Sequence, residues 1–271
     1  MNCKIINSDC IEFIENYSDK PFDLTFLDPP FNQSKEYRSH NDHMEPKDYW
    51  EWMKLVCCSV FNKSSNGAAI YFMQREKNTK EVMQVLESSG WTFQNLIIWK
   101  KKTSAIPCNN RYGKHYQIIV FATKGSKPRV FNKLRIDPPL LETEKYRREN
   151  GMYVTDVWDD IRELTSGYFA GEEPLRNSDG QRAHKQQSPV HLLTRIILSS
   201  TKTGDIVFDP FLGSGTSLIV SRQLQRDSIG VEIDPMNCEL IKKRIDDNRK
   251  SDNITPLFSY YRFTENLGKF G

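Results

Sequence analysis

Ile206-Val207-Phe208-Asp209-Pro210-Phe211-Leu212-Gly213-Ser214-Gly215-Thr216 decides the fold of this 271-residue chain. A short run rich in strand formers enters a glycine turn, and the apolar-periodic segment Ser217–Leu224 that follows reads as a helix. Glycines at a strand-to-helix turn let a ligand approach the backbone over a helix N-terminus. Next comes Ser228-Ile229-Gly230-Val231-Glu232-Ile233-Asp234, a second strand ending in acids. Glu232 lies 17 residues beyond Gly215, the spacing at which an acid reaches ribose hydroxyls in nucleotide-binding α/β folds. A dinucleotide site of the NAD type is the alternative, but Gly-Ser-Gly-Thr-Ser-Leu lacks the third glycine of that fingerprint. The segment therefore predicts a nucleoside cofactor on an open α/β sheet.

Toward the N-terminus a second turn carries different chemistry. Asp28-Pro29-Pro30-Phe31 directly follows the apolar run Phe22-Asp23-Leu24-Thr25-Phe26-Leu27. The exocyclic nitrogen of adenine or cytosine is a poor nucleophile while its lone pair is delocalised into the ring. A carboxylate at Asp28 and a backbone carbonyl at Pro29 can accept its two N–H bonds. Both interactions strengthen as positive charge develops on nitrogen, so they favour the transition state over the ground state. Consecutive prolines fix φ and supply no N–H, which leaves stiff carbonyls for a ligand. Phe31 offers a ring on which an extruded base can stack. A second tripeptide, Asp137-Pro138-Pro139-Leu140, follows a charged stretch and ends without an aromatic face; it reads as a surface turn.

Periodicity places these turns on a sheet. Strands are predicted over 4–6, 23–27, 68–73, 96–100, 117–122, 205–208 and 228–232, and helices over 10–15, 46–61, 76–88, 189–200, 217–225 and 235–247. Ser188 before Pro189 predicts an N-cap with proline at the first helical position. Alternating strands and helices imply a doubly wound, mostly parallel sheet with helices on both faces. Both turns then fall at the carboxyl ends of strands, where such sheets bind ligands. Residues 124–187 show turn signals and little periodicity, and are too long for a plain loop. They divide the chain into a catalytic half over 1–123, an insert over 124–187, and a cofactor half with a tail over 188–271. Trp50, Trp52 and Met53, at helical spacing, are expected in the core. The aromatic tail (Phe258, Tyr260, Tyr261, Phe263) is expected either to pack back on the body or to serve a dimer contact. The loop from Asn32 to Glu45 is a candidate to close over a base, and Tyr168-Phe169 fits either a stacking pair or a buried turn.

The net charge is only +3, yet residues 100–149 hold thirteen Lys and Arg against four Asp and Glu. Concentrated charge suits phosphate binding, because each neutralised phosphate releases counterions. Lys101, Lys102, Arg111, Lys114, Lys127, Arg129, Lys133 and Arg135 are the candidate DNA contacts, with a solvated basic face as the plain alternative. The hydrophobic share of 38% and charged share of 27% fit a globular protein. No apolar run is long enough to span a membrane, and no basic-then-apolar leader opens the chain, so a cytoplasmic location is expected. The six cysteines (3, 10, 57, 58, 108 and 238) show no CxxC spacing, so no metal site is expected; His40 and His43 lack a third ligand nearby.

The two turns together resemble those of the β-class DNA amino-methyltransferases, from about Asn7 to Ile245. Asn7-Ser8-Asp9-Cys10 resembles the segment that contacts the adenine of S-adenosylmethionine, with Asn7-Ser8 where a glycine is common. Tyr49-Trp50-Glu51-Trp52-Met53, Tyr116 to Phe121, and Asp156-Val157-Trp158 are also family-like. The family often carries His-Pro-x-x-Lys-Pro where this chain has His184-Lys185-Gln186-Gln187-Ser188-Pro189. The resemblance implies catalytic roles for Asp28, Pro29, Pro30 and Phe31. It implies cofactor contacts from Asp9, Cys10, Asp28, Lys185, Ser188, Asp209, Phe211, Gly213, Ser214, Gly215, Thr216, Glu232 and Ile233. It also makes the insert a target-recognition region and S-adenosylmethionine the methyl donor. Aspartate at the first motif position points to adenine N6 in DNA, in a system with a companion restriction endonuclease. Cytosine N4 is the rival target, and a non-catalytic DNA-binding module the rival from another class.

Overall fold

The computed structural model describes residues 1–33, 43–103, 107, 109–137, 151–164, 171–177, 179–184 and 186–262. Lys185, Cys108, Phe263, the Tyr168-Phe169 pair, the centre of the loop after Phe31 (with His40) and Pro138–Leu140 lie outside these residues.

The sheet grows from strands whose alternate residues face opposite layers. In β3 (Ser64–Arg75), Ala69, Tyr71 and Met73 join one apolar cluster while Ile70 and Phe72 join another, as the two-residue period of a strand requires. Around it lie β1 (Cys3–Asn7), β2 (Phe22–Leu27), β4 (Thr92–Lys100), β5 (Tyr116–Thr123), β8 (Val157–Trp158), β9 (Ile206–Asp209) and β10 (Asp227–Glu232). The order is β1-β10-β9-β2-β3-β5-β4-β8. Only β5 runs against the rest of this sheet. Two-residue strands β6 (Arg135–Ile136), β7 (Met152–Tyr153) and β11 (Tyr261–Arg262) form a separate small sheet.

Helices cover both faces. On one side α1 (Cys10–Asn16), α2 (Pro46–Lys63) and α3 (Thr79–Ser88) bury Ile14, Met53, Val56, Val82 and Leu86. On the other, α4 (Val190–Ser200) and α5 (Thr216–Gln223) bury Leu192, Leu193, Ile196, Ile197 and Val220. Helix α6 (Pro235–Asp246) seats Ile241 against Leu212 and Leu218. The short α7 (Thr255–Tyr260) brings the tail back: Arg195 of α4, fully buried, holds Asp160 in a two-pronged pair and donates to the Tyr261 hydroxyl at 3.0 Å.

This topology decides where function can sit. β1, β2, β9 and β10 are parallel, so the segments that follow them (Ser8-Asp9, Asp28–Phe31, Pro210–Gly215 and Ile233-Asp234) emerge on one rim. At the opposite rim Arg129 bridges Asp23 and Asp205 at 3.1 and 2.5 Å, and its backbone N–H bonds Gly67 at 2.7 Å. One local expectation is corrected. Pro189, not Ser188, is the N-cap of α4, and the Val190 N–H at that end donates to the Glu173 carboxylate at 2.6 Å. The Ser188 hydroxyl donates to Asp28 Oδ2 at 2.9 Å, and a hydrogen bond to a carboxylate is stronger than one between neutral groups.

Candidate active site

Each turn is held by its own scaffold. Gly213 and Gly215 have φ of 53° and 79°, a region side chains rarely occupy. A Cβ at Gly215 would stand 2.5 Å from Ile241 Cγ2, and one at Gly213 would stand 3.1 Å from the His184 ring. Backbone conformation and space therefore both require glycine here. Arg244 supports the turn from beneath: it pairs with Asp252 through two bonds of 2.9 and 2.6 Å and donates to the Ser214 carbonyl at 2.8 Å and to Thr216 Oγ1 at 3.0 Å.

The other turn is anchored from α2. Tyr49, buried, donates its hydroxyl proton to the Pro30 carbonyl at 2.8 Å and accepts from Gln74 Nε2 at 2.9 Å. Asn32, at φ 52°, exchanges two hydrogen bonds with Met44, of 2.7 and 2.8 Å, which pin the base of the loop that follows.

The two turns open into one cavity. Asp28, Pro29, Pro30 and Phe31 line it together with Asp209, Phe211, Gly213, Ser214 and Thr216. Asp9, Cys10, Ser188, Glu232 and Ile233 also line it; Gly215 sits in the turn without facing it, and Lys185 lies outside the described residues. Asp9 caps α1 through bonds to Ile11 and Glu12 N–H at 2.8 and 3.1 Å. Burial pushes the Cys10 thiol up to about 12, which makes it an inert wall. Trp52, expected in the core, lines the cavity and meets the Phe211 ring edge-on at 5.5 Å.

The charge of this cavity is one-sided. Asp9, Asp28, Asp209, Glu232 and Asp234 line it, and no Lys or Arg does among the described residues. Burial pushes Asp209 up to about 7, although Ser217 Oγ and the Phe211 N–H donate to it. Burial likewise raises Glu232, which accepts from Gly213 N at 2.8 Å and Asp234 N at 2.9 Å. His184 is pushed down to about 4 by burial and by Arg182 and Arg244, so it is neutral near pH 7. Acids held with raised pKa in a cleft mark a site built for a ligand. A cationic ligand would relieve the cost of ionising them.

The candidate basic residues do not share one place. Lys101 and Lys102 follow β4 on the rim that carries Asp28. Lys114 pairs with Glu76 at 2.7 Å, and Arg135 lies over the Tyr153 ring at 3.9 Å. Arg111, Lys127 and Lys133 are exposed. The charge of Arg129 is taken up by two carboxylates on the far rim. The sequence alone assigns no role to Tyr49, Gln74 or His184, although Tyr49 and His184 lie in family-like stretches. The Tyr49-Trp50-Glu51-Trp52-Met53 stretch carried the signal for Tyr49, but helical spacing alone reads as core.

The DNA methylase family model N6_N4_Mtase matches residues 22–243, and the chain belongs to this family. It is 32% identical over 266 residues to the Type II methyltransferase M.BamHI of Bacillus amyloliquefaciens. That match covers 93% of this chain but 59% of the relative, so the chain spans well under two thirds of that protein. It is 27% identical to M1.MboII of Moraxella bovis over 263 residues, covering 89% of this chain and 94% of the relative. Among solved structures, the PvuII DNA methyltransferase, described as cytosine-N4-specific, shares the fold with a TM-score of 0.65 at 17% identity, over 96% of this chain and 92% of its own. The M1.HpyAVI–SAM complex gives 0.61 at 21% identity, over 90% of this chain and 99% of its own.

Proposed function

We propose that this protein is a site-specific DNA methyltransferase that moves the methyl group of S-adenosylmethionine to the N6 amine of an extruded adenine. One observation carries the reading: an Asp-Pro-Pro-Phe turn and a glycine turn, separated by some 180 residues of chain, line the same cavity.

The cavity fits the donor on its own evidence. The donor is cationic, and the buried carboxylates of Asp209 and Glu232 have no basic partner lining the cavity among the described residues. Glu232 is placed at the end of β10 to accept hydroxyl donors, Phe211 supplies a ring, and the turn at Gly213 admits a close ligand. When bound, the donor supplies an electrophilic methyl carbon on sulfur. Asp28 accepts one amine N–H, with Ser188 orienting its carboxylate. The Pro29 carbonyl accepts the other, and Tyr49 keeps the adjoining Pro30 carbonyl in place. Phe31 stacks on the base. Once methylated, with the methyl–sulfur bond broken and the donor leaving as a neutral thioether, the nitrogen would be cationic, and Asp28 is positioned to stabilise that charge and take the surplus proton.

Aspartate rather than serine at residue 28 supports adenine N6 over cytosine N4. The 124–187 segment is proposed as the target-recognition region, a cytoplasmic setting with a companion restriction endonuclease as the biological context, and self-association through the tail as an option for the assembled enzyme. No helix among the described residues is long and apolar enough to cross a membrane. Methylome sequencing of DNA from cells expressing the protein tests the reading. N6-methyladenine within one short sequence is expected; N4-methylcytosine alone would overturn the adenine assignment, and unmodified DNA the enzyme assignment.

A further inference from the structure

Lys101 is held in a way that a phosphate contact does not require. It directly follows β4, which runs in the same direction as β2, so it emerges on the rim of Asp28. Its ammonium stands 3.4 Å from the Trp99 ring centroid and donates to Gln117 Oε1. Gln117 faces Trp99 across the β4–β5 pair. Trp99 is itself fixed: it is buried in the same apolar cluster as Phe31, and its indole N–H donates to the Ile161 carbonyl at 2.9 Å. The cation is thus immobilised between an indole face and an amide.

It is also poorly compensated. Burial pushes its pKa down to about 8, against the opposing pull of Glu163 and Asp28. Among the described residues it makes no ion pair. Glu163 accepts instead from the N–H groups of Lys102 and Thr103 at 2.8 and 2.9 Å and from the Thr103 hydroxyl. An ammonium carries three donors, and Gln117 engages one.

The sheet order indicates what lies opposite. The attacking lone pair leaves the ring plane as the nitrogen rehybridises, so the ring meets the nitrogen–methyl axis at roughly the tetrahedral angle and slopes away from the donor. The glycine turn and Glu232 follow β9 and β10, on one side of β2; β3, β5 and β4 lie on the other. A ring whose amine rests on Asp28 therefore extends toward the rim that holds Trp99, Gln117 and Lys101. We infer that Lys101 is a specificity-determining residue that donates a hydrogen bond to a ring nitrogen of the extruded adenine. This rests on the amino-methyltransferase reading above. It moves Lys101 from the phosphate-contacting set to the base pocket.

Two DNA duplexes test it, each carrying the sequence found by methylome sequencing, one with the target adenine and one abasic at that position. Affinities are measured with S-adenosylhomocysteine present, for the wild type and Lys101→Met, over a range of salt. Lys101→Met is expected to weaken binding about tenfold or more on the intact duplex, with little change on the abasic one and an unaltered salt slope. Gln117→Leu, which frees the ammonium but keeps the charge, is expected to give the same pattern at smaller size, and it reads the inference if Lys101→Met does not fold. Equal losses on both duplexes with a salt slope lower by about one would make Lys101 a phosphate contact and overturn the inference. Unchanged affinity on both would overturn it as well. A wild-type protein that neither binds nor methylates DNA would instead remove the underlying reading, and this inference with it.

Discussion

The two rims of the sheet treat their carboxylates in opposite ways. At the amino rim, Asp23 and Asp205 share one guanidinium, that of Arg129, and Asp23 also accepts from Ser65 Oγ at 2.6 Å and Ile206 N at 3.0 Å. At the carboxyl rim, Asp209 and Glu232 receive neutral hydrogen-bond donors, and both are pushed up by burial. An ion pair at one rim settles the charge within the fold. At the other rim the charge is left for a ligand to meet. The comparison teaches that the same residue type serves stability or binding according to whether the chain supplies its counter-charge.

The largest effect expected from this contrast is at Asp28. Asp28→Ala should lower methyl transfer about a thousandfold or more, with DNA affinity and thermal stability close to wild type. Initial rates alongside equilibrium binding check this; undiminished rates would remove the carboxylate from the chemistry.

Gly215→Ala comes next. The residue must keep a positive φ while its new methyl group meets Ile241. A loss of about 1–3 kcal/mol in stability is expected, together with donor affinity weakened at least tenfold. Thermal unfolding and calorimetric titration with S-adenosylmethionine measure the two. Arg129→Ala should cost stability on the order of 1–3 kcal/mol by leaving Asp23 and Asp205 without their cation. At a temperature where both proteins are folded, its methylation rate should match wild type. A rate loss without a stability loss would erase the distinction between the rims.

A pH dependence completes the contrast. Asp209 is raised from its ordinary 3.8 to about 7 in the folded state. The unfolded chain therefore releases this proton first as pH rises. The contribution to stability is fully present below about 4, is lost progressively toward 7, and is absent above it. Asp209→Asn should remove that part of the slope. Ligand-free unfolding free energies of the two proteins between pH 4.5 and 8 give the test: the Asn variant's advantage should grow with pH and level off above 7.

Much of this was legible in the sequence because it is written in local patterns. Alternation and helical spacing located the long strands and every helix before residue 250. The two turns announced themselves by glycine, proline and the acids beside them. What escaped has no local pattern. β6, β7, β8 and β11 are two residues long, too short for any period. Arg129 belongs to a basic stretch by composition, and only the fold brings Asp23 and Asp205 to it. Ser188 sits where a cap is expected, yet Asp28, 160 residues away, holds its hydroxyl. Tyr49 has the spacing of a core residue and is buried, but its hydroxyl is what fixes the Pro30 carbonyl. Long-range hydrogen bonds of this kind turn neighbouring rim loops into one site.

The most direct test uses purified protein, S-adenosylmethionine with an isotopically labelled methyl group, and duplex DNA that is then digested to nucleosides and resolved by mass. The account predicts label in N6-methyladenine and nowhere else. Label confined to N4-methylcytosine, or absent from DNA while the protein binds both substrates, would contradict it.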